Sequence, residues 1–500
     1  MSSINDKHIV IIGAGVAGLA FANQVITHNP KQRITIIEKD NTIGGCHKVA
    51  RQKLENEYYF TEHGPRVYLS NYVNFIKLLS SMNLKFNDLF IKYRYSLFDI
   101  SSKLIFVDNV FSITELLILT RDFIFTIFSN TYGSNISMLD YMKYNEFSPN
   151  AIKNVDNICR SFDGGDSSRI SLNQFISVTI QSLLYNIYIP RVPNDEGLFK
   201  LWEQYLKYKG VSFIINNGVT SIIKKKDNNY EIEKIILNDG TEIKGDIFIL
   251  ALPPTQIKTI LDNSNDDIKN AFGDLTIFNQ FTEKTKYNEY ISLTFHWDYD
   301  LKLDNDIFGL NTQTEWELLI MVLSNYMKFK ESKSKTVISI GIILTDVKNT
   351  YLNKTANECN KDELMRSVYE QLRTVYKNIP KPTTYFINNY YDSSTKKWIS
   401  NEQAFIKVPN IDYIQYKSNK FKNLYNLGTH NGKHKNSFTS VESAISNSIK
   451  LSNIICNKKT KIRRCFDIRD LTIVIISIII LLLLIKYTFY GHSSKSSIRS

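Results

Sequence analysis

The segment from His8 to Glu38 constrains the fold more than any other part of this chain. Residues 8–12 read His-Ile-Val-Ile-Ile, a β-branched run suited to a strand buried on both faces of a parallel sheet. Gly13-Ala-Gly15-Val-Ala-Gly18 follows without a break, and residues 19–26 continue with helical character. In such a strand–turn–helix unit the glycines have separate tasks. Gly13 permits the tight turn, Gly15 lets the backbone approach a pyrophosphate, and Gly18 lets helix and strand pack closely. The helix start then offers unpaired N–H groups and a positive dipole end to phosphate. A second strand-like run at 33–37 ends at Glu38, twenty residues after Gly18, where a carboxylate accepts hydrogen bonds from a ribose. The combination predicts a dinucleotide-binding α/β domain.

Three later landmarks narrow the cofactor. Gly44-Gly45 follows Glu38 closely, with Tyr59-Phe-Thr-Glu62-His63-Gly64-Pro65-Arg66 downstream. Residues 196–210 read as a helix leading into a strand at 211–215, then Gly218-Val219 and strands at 219–223, 230–237 and 247–253, with an Asn238-Asp239-Gly240 hairpin turn. The last is the strand ending Leu427-Gly428-Thr429, followed by Val441-Glu442 and a helix. Together these resemble the superfamily of flavin amine oxidases, phytoene and squalene desaturases and protoporphyrinogen oxidases.

That resemblance implies noncovalent FAD, bound by Gly13, Gly15, Val16, Ala17, Gly18, Glu38, Lys39, Gly45, Cys46, Gly64, Pro65, Arg66, Val219, Gly428, Thr429 and Val441. Two positions depart from the family pattern. Cys46 stands where an arginine is usual, so that one phosphate contact is either missing or supplied by Lys48, and Thr429 stands where an acid is usual. No cysteine lies between 360 and 455, where covalently flavinylated amine oxidases carry theirs. No second GxGxxG is present, which disfavours a separate NADPH domain and leaves oxygen, a quinone or a protein as electron acceptor. The resemblance also implies the fold class: an α/β, FAD-binding Rossmann-like domain of the GR2 type, interleaved with an α+β substrate domain. The division is 1–100, 195–280 and 416–456 for the cofactor domain, and 101–194 and 281–415 for the substrate domain.

In the substrate half, residues 114–128 and 137–142 read as apolar helices, 290–297, 318–323 and 336–344 as strands, and 362–376 as a helix. Lys330–Lys335 reads as a solvated hairpin loop. Flavin oxidation of a C–H bond needs chiefly correct placement, so no acid–base triad is required. His63, Arg66, Tyr390, Tyr391 and Trp398 are the candidates to approach the flavin. Residues 398–409 carry the Ala-Phe-x-x-x-Pro pattern of desaturase relatives, which points to an apolar substrate, while an amine is the substrate of the oxidase relatives.

The net charge of +12 is concentrated at the C-terminal end, where ten basic residues of 450–500 face only Asp467 and Asp470. The body carries no basic stripe, which argues against nucleic acid. Five scattered cysteines without a CxxC argue against disulfides or zinc. Leu471–Ile485 holds no charge, and Lys486 with Tyr487–Tyr490 extends it to membrane-spanning length. Basic residues from Lys458 to Arg469 precede it, placing the body on the cytosolic side of a tail-anchored, single-pass arrangement, with 457–470 a linker, 471–490 the transmembrane helix and 491–500 a tail. The sequence thus predicts a membrane-anchored FAD-dependent oxidoreductase of an amine or isoprenoid-like substrate, with no metal. The rival readings are a lipid-cargo carrier like the Rab GDP-dissociation inhibitors, or a flavin-dependent sugar-nucleotide mutase.

Overall fold

The structure is a computed structural model, and it describes residues 7–64, 66–93, 111–129, 131–163, 165–228, 230–285, 290–303, 309–311, 314–329, 333–400, 406, 408–409, 411, 414–431 and 440–496. Its centre is a parallel sheet of five strands in the spatial order Leu424–Asn426, Ile247–Leu250, His8–Ile12, Arg33–Ile37 and Ser212–Ile214. Ile9 pairs with Ile247 on one side and Ile34 on the other. The pleat sends alternate side chains to opposite faces. Ile9, Ile11, Ile34, Ile36, Ile247 and Ile249 therefore enter the core beneath the helices Val16–His28 and Val441–Cys456. Val10, Ile12, Ile37, Phe248 and Leu250 enter a second core beneath the antiparallel meander of Val219–Lys224, Ile232–Leu237 and Glu242–Lys244. Burial on both faces explains why the inner strands His8–Ile12, Arg33–Ile37 and Ile247–Leu250 are rich in Ile, Val and Leu.

An antiparallel sheet of five strands makes up much of the rest, in the order Gly309–Asn311, Leu318–Val322, Thr336–Ile342, Ile291–Trp297 and Thr384–Ile387. Its helix, Lys361–Val375, starts at a capping box in which Asn360 and Glu363 bond each other's backbone N–H. The first long insertion is helical, with Ile113–Phe128, Met138–Tyr144, Pro149–Asp163 and Leu172–Leu183 around their own apolar cluster. The fold is thus an α/β Rossmann-like domain with a parallel sheet, joined to antiparallel sheets. Of the Lys330–Lys335 loop, residues 330–332 lie outside the described residues, and Lys333 pairs with Glu57 at 3.1 Å. The C-terminal helix spans Ile468–Ser496, with an apolar stretch Ile468–Tyr487 that is almost entirely exposed.

Candidate functional site

Four of the parallel strands run out at one edge of the sheet, and a cavity of about 460 Å³ opens there. Ile12-Gly13, Ile37-Glu38, Ala251-Leu252 and Leu427-Gly428, the residues at those strand ends, all line it. A crevice outside the carboxyl ends of parallel strands is where open α/β sheets bind ligands.

Gly13 sits at φ +105° with its N–H donated to Ile37 O at 2.7 Å, a turn that an L side chain resists. A Cβ there would stand 2.5 Å from Ala251 O. Helix Val16–His28 then begins with no side-chain cap at Gly15, so its first N–H groups face the cavity unbonded by a cap. Gly18 is not a lining residue: a Cβ there would overlap Gly13 O, so its smallness serves helix–strand packing.

Glu38 closes the same turn. Its carboxylate accepts from Ala14 N–H at 2.9 Å and from Asp40 N–H at 3.1 Å. Burial raises its pKa, and those two N–H donors pull the other way. Lys39 lines the cavity beside it, as do Val219 and Asn238 from the meander. Lys48 lines the cavity and is paired with Asp40 at 2.5 Å, with only 12% of its side chain exposed. Gly45 and Cys46 line the wall opposite Gly15.

His63, Arg66, Gly428, Thr429, His430, Ser440, Val441 and Ala444 line the cavity as well. Ser440 caps helix Val441–Cys456 by accepting from Ser443 N–H at 3.1 Å, so that helix N-terminus also meets the cavity. His63 is buried, bonded through Nδ1 to Ser400 Oγ at 2.5 Å and packed on Tyr290 with ring centres 4.8 Å apart. Burial, with Arg66 adding to it, holds His63 far below the ordinary imidazole pKa, so the ring is neutral. Burial pushes the neighbouring Glu62 carboxyl up to about 8 despite the opposing charge of Arg66.

Of the sequence candidates, Gly13, Gly15, Val16, Ala17, Glu38, Lys39, Gly45, Cys46, Arg66, Val219, Gly428, Thr429 and Val441 converge on this cavity, with His63. Gly64 lies behind it, under the phenol ring of Tyr290, and Pro65 is outside the described residues. Tyr390 and Trp398 do not line it. Both belong to the hairpin Asn389–Asp392 and Lys397–Ser400, where Tyr390 is 49% exposed, as is much of Tyr391. The buried Trp398 indole donates to Cys359 O at 3.1 Å and acts as scaffold. Residues 404–405 of the desaturase-like pattern lie outside the described residues. Sequence reasoning missed Asp40, His47, Gln256, Thr259 and His430 in the lining. A helix after a strand end, as at Pro254–Asp262, was the one available signal for Gln256 and Thr259.

Comparison with known proteins agrees with this geometry. A family model described as an NAD(P)-binding Rossmann-like domain matches residues 11–81. A UDP-galactopyranose mutase of Mycoplasma genitalium is 34% identical over 85 residues, 16% of this chain and 20% of that protein's length. The chain therefore spans about a fifth of the curated relative it matches. Among solved structures, wild-type putrescine oxidase bound to putrescine superposes with a TM-score of 0.59 at 11% identity, covering 90% of this chain and 99% of that one. Cyclohexylamine oxidase from Brevibacterium oxydans gives 0.58 at 12% identity, with the same coverages. An oxidoreductase from Methanosarcina mazei gives 0.58 at 13% identity, covering 89% and 99%. The chain thus shares the fold of these solved oxidases, and its residues 11–81 match a Rossmann-like dinucleotide-binding domain.

Proposed function

We propose that the cavity holds FAD noncovalently and that the chain is an oxidoreductase, oxidising an amine or an apolar, isoprenoid-like substrate by hydride transfer to the flavin. The observation that carries this reading is the meeting of Gly13, Gly15, Val16, Ala17, Glu38, Val219, Thr429 and Val441 at one sheet edge, from three distant parts of the sequence. The residues fit the cofactor: an uncapped helix start for the pyrophosphate, a carboxylate for the ribose, and a second helix N-terminus. In this reading the segments 1–100, 195–280 and 416–456 form the cofactor domain and 101–194 with 281–415 the substrate domain. FAD when bound supplies the two-electron acceptor. Arg66 faces the cavity as a fixed cation and favours negative charge near it. His63, held neutral, accepts or donates one hydrogen bond without adding charge. Reoxidation falls to oxygen or a quinone.

The test is the absorbance spectrum of the purified chain, followed by mass analysis of the acid-released cofactor. Released FAD, and its anaerobic bleaching by an amine or polyene, support the proposal. A colourless protein that FAD does not reconstitute would sink it and favour the lipid-cargo reading.

A second reading has its own observation, the partial likeness to UDP-galactopyranose mutase. The cavity's cations are Lys39, Lys48 and Arg66, and Lys48 is paired, which is sparse for a sugar-nucleotide diphosphate. Conversion of UDP-galactopyranose without net flavin reduction would select this reading over the oxidase.

The exposed apolar span Ile468–Tyr487 supports single-pass anchoring with the body on the cytosolic side, since twenty helical residues reach ~30 Å. Truncation after Asp470 then releases a flavin-loaded protein from the membrane fraction. A truncated chain that resists alkaline carbonate extraction from membranes as the full chain does leaves the helix without that role, whereas a carbonate-extractable remainder reflects a surface contact only.

A further inference from the structure

Helix Ile113–Phe128 buries polar side chains and leaves a stripe of apolar ones outside. Its buried side chains are Glu115, Asp122 and Thr126, whereas Ile113 and Phe128 are each 80% exposed and Leu117, Ile124 and Phe125 are exposed as well. Positions 113, 117, 120, 121, 124 and 128 recur at helical spacing and form one outward stripe. The inward polar groups are held in place. Glu115 accepts from Ser148 N–H at 2.6 Å, Asp122 accepts from the Tyr132 and Tyr141 hydroxyls, and Thr126 donates to Phe123 O at 2.6 Å. The helix therefore gains nothing by rolling its apolar stripe inward, because doing so would strand these buried partners.

The same helical bundle carries the foot of the C-terminal helix. Ile118, Leu119, Phe123 and Ile468 pack on one apolar cluster, and helix Leu172–Leu183 packs against the C-terminal helix. Tyr185 donates its hydroxyl to Phe466 O. Exposed Leu184 and Phe466 extend the apolar surface beside that foot. Arg121, the one charged residue on the stripe, shares a shallow recess with Tyr144, which is 83% exposed.

We propose that helix Ile113–Phe128 lies in the bilayer surface as a second membrane contact. Its Ile113, Leu117, Ile124 and Phe128 side chains enter the acyl region, and Arg121 and Tyr144 sit at headgroup depth. The proposal rests on the anchoring reading above, which makes the bilayer the occupant: a helix at the foot of a span meets lipid at high effective concentration. Aliphatic and Phe side chains with an Arg among them, whose long stem lets its head reach the headgroups, and a neighbouring Tyr match the composition of interfacial helices. Two contacts would fix the rotation of the body about the span, which a lone span leaves free.

The experiment uses the full chain in phosphatidylcholine vesicles, with an environment-sensitive nitrobenzoxadiazole label on single introduced cysteines. Leu117→Cys and Phe128→Cys probe the helix, Ile478→Cys the span, and Tyr390→Cys the exposed hairpin, with the unmodified chain as the background for native thiols. Doxyl-labelled lipid is expected to quench labels at 117, 128 and 478 and to spare 390. Quenching at 478 without quenching at 117 and 128 overturns the second contact and leaves the anchor standing, as for a face covered by another copy of the chain. Quenching at 117 and 128 without 478 keeps the helix contact and overturns the anchor. Loss at all positions alike, 390 included, reflects nonspecific adsorption and overturns the proposal.

Discussion

Gly15 and Gly18 stand three positions apart on one helix, yet the structure gives them opposite consequences when a methyl group is added. At Gly18 a Cβ would overlap Gly13 O, with Ile11 Cγ2 at 3.2 Å and Ala251 Cβ at 3.3 Å. None of these can yield cheaply, because the Gly13 turn is tied to Ile37 and both neighbours belong to the parallel-sheet core. Alanine gains ~1 kcal/mol of helix preference over glycine. Overpacking of a tight core costs about 1–3 kcal/mol, and here the collision is with backbone, so the upper part of that range applies and the clash wins. Gly15 has φ −75°, and its Cβ would meet nothing closer than Gly45 Cα at 3.6 Å. Gly15→Ala therefore costs the flavin-free fold only about 0.5 kcal/mol, the usual difference at an N-cap. It does fill the surface on which a pyrophosphate would rest. Losing one hydrogen bond to a charged phosphate costs about 1.5–3 kcal/mol, or roughly a 10- to 150-fold weaker Kd. Thermal unfolding of the flavin-free proteins and fluorescence titration with FAD separate the two effects. The expected pattern is a large fall in Tm for Gly18→Ala, and an almost unchanged Tm with lost affinity for Gly15→Ala. A Gly15→Ala protein that binds FAD like the parent, or unfolds as easily as Gly18→Ala, refutes the reasoning.

Other consequences follow from single contacts. The Glu62 carboxyl titrates at about 8 in the fold against an ordinary 4.5, so its contribution to stability is complete below the ordinary value and is lost as pH rises through about 8. Glu62→Gln should flatten that decline by a few kcal/mol, and unfolding curves that stay parallel to the parent's from acid to alkaline pH contradict it. Asn74→Ala removes the side-chain bonds to Glu442, to Arg463 O and from Arg463 N–H, at 2.6, 2.9 and 2.9 Å. Trypsin should then cut at Lys461–Arg464 several-fold faster while the flavin stays bound, and an unchanged cleavage rate counts against a docked linker. Trp398→Phe should cost ~1 kcal/mol of stability through the lost bond to Cys359 O and leave turnover within about twofold. A collapse of turnover with the spectrum intact would return Trp398 to the active site.

The sequence was most readable where function depends on neighbours along the chain. Gly13, Gly18 and Glu38 are set by local turn and strand geometry, so their spacing alone located the strand ends that frame the cavity. Val219, Thr429 and Val441 were reached through resemblance, since nothing local requires residues that far apart to meet. The pairing of Lys48 with Asp40 was invisible because a lysine near a glycine turn looks the same whether free or paired. That Tyr390 and Trp398 lie outside the cavity lining was invisible for a related reason: aromatic identity says nothing about which way a hairpin faces. Helix Ile113–Phe128 was found by its apolar content, but its orientation was not. The usual rule turns apolar residues inward, and here Glu115 and Asp122 have better partners inside than water would be.

The contacts behind the cavity suggest why the C-terminal segments are arranged in this order. Ser440 and Val441 touch the cavity, and the next residue, Glu442, turns away and is buried. Its carboxylate accepts from the backbone N–H groups of Asn74 and Phe75, at 2.8 and 2.9 Å, at the start of helix Val73–Ser81, whose own N-cap Tyr72 provides none. Burial pushes that carboxyl up to about 7, with the N–H donors opposing the rise. Asn74 in turn exchanges hydrogen bonds with Arg463, and Thr460 is held by Asn453 at 2.9 Å. The segment between the two last helices is therefore laid onto the body, and Cys465 within it is buried, its thiol pushed up to about 11, which leaves it a poor nucleophile for acylation. A freely jointed tether would let the body tumble above a membrane. A segment fastened through Glu442 and Asn74 fixes where the C-terminal helix leaves the body relative to the cavity, and it does so with residues that begin directly after the cavity-lining Val441.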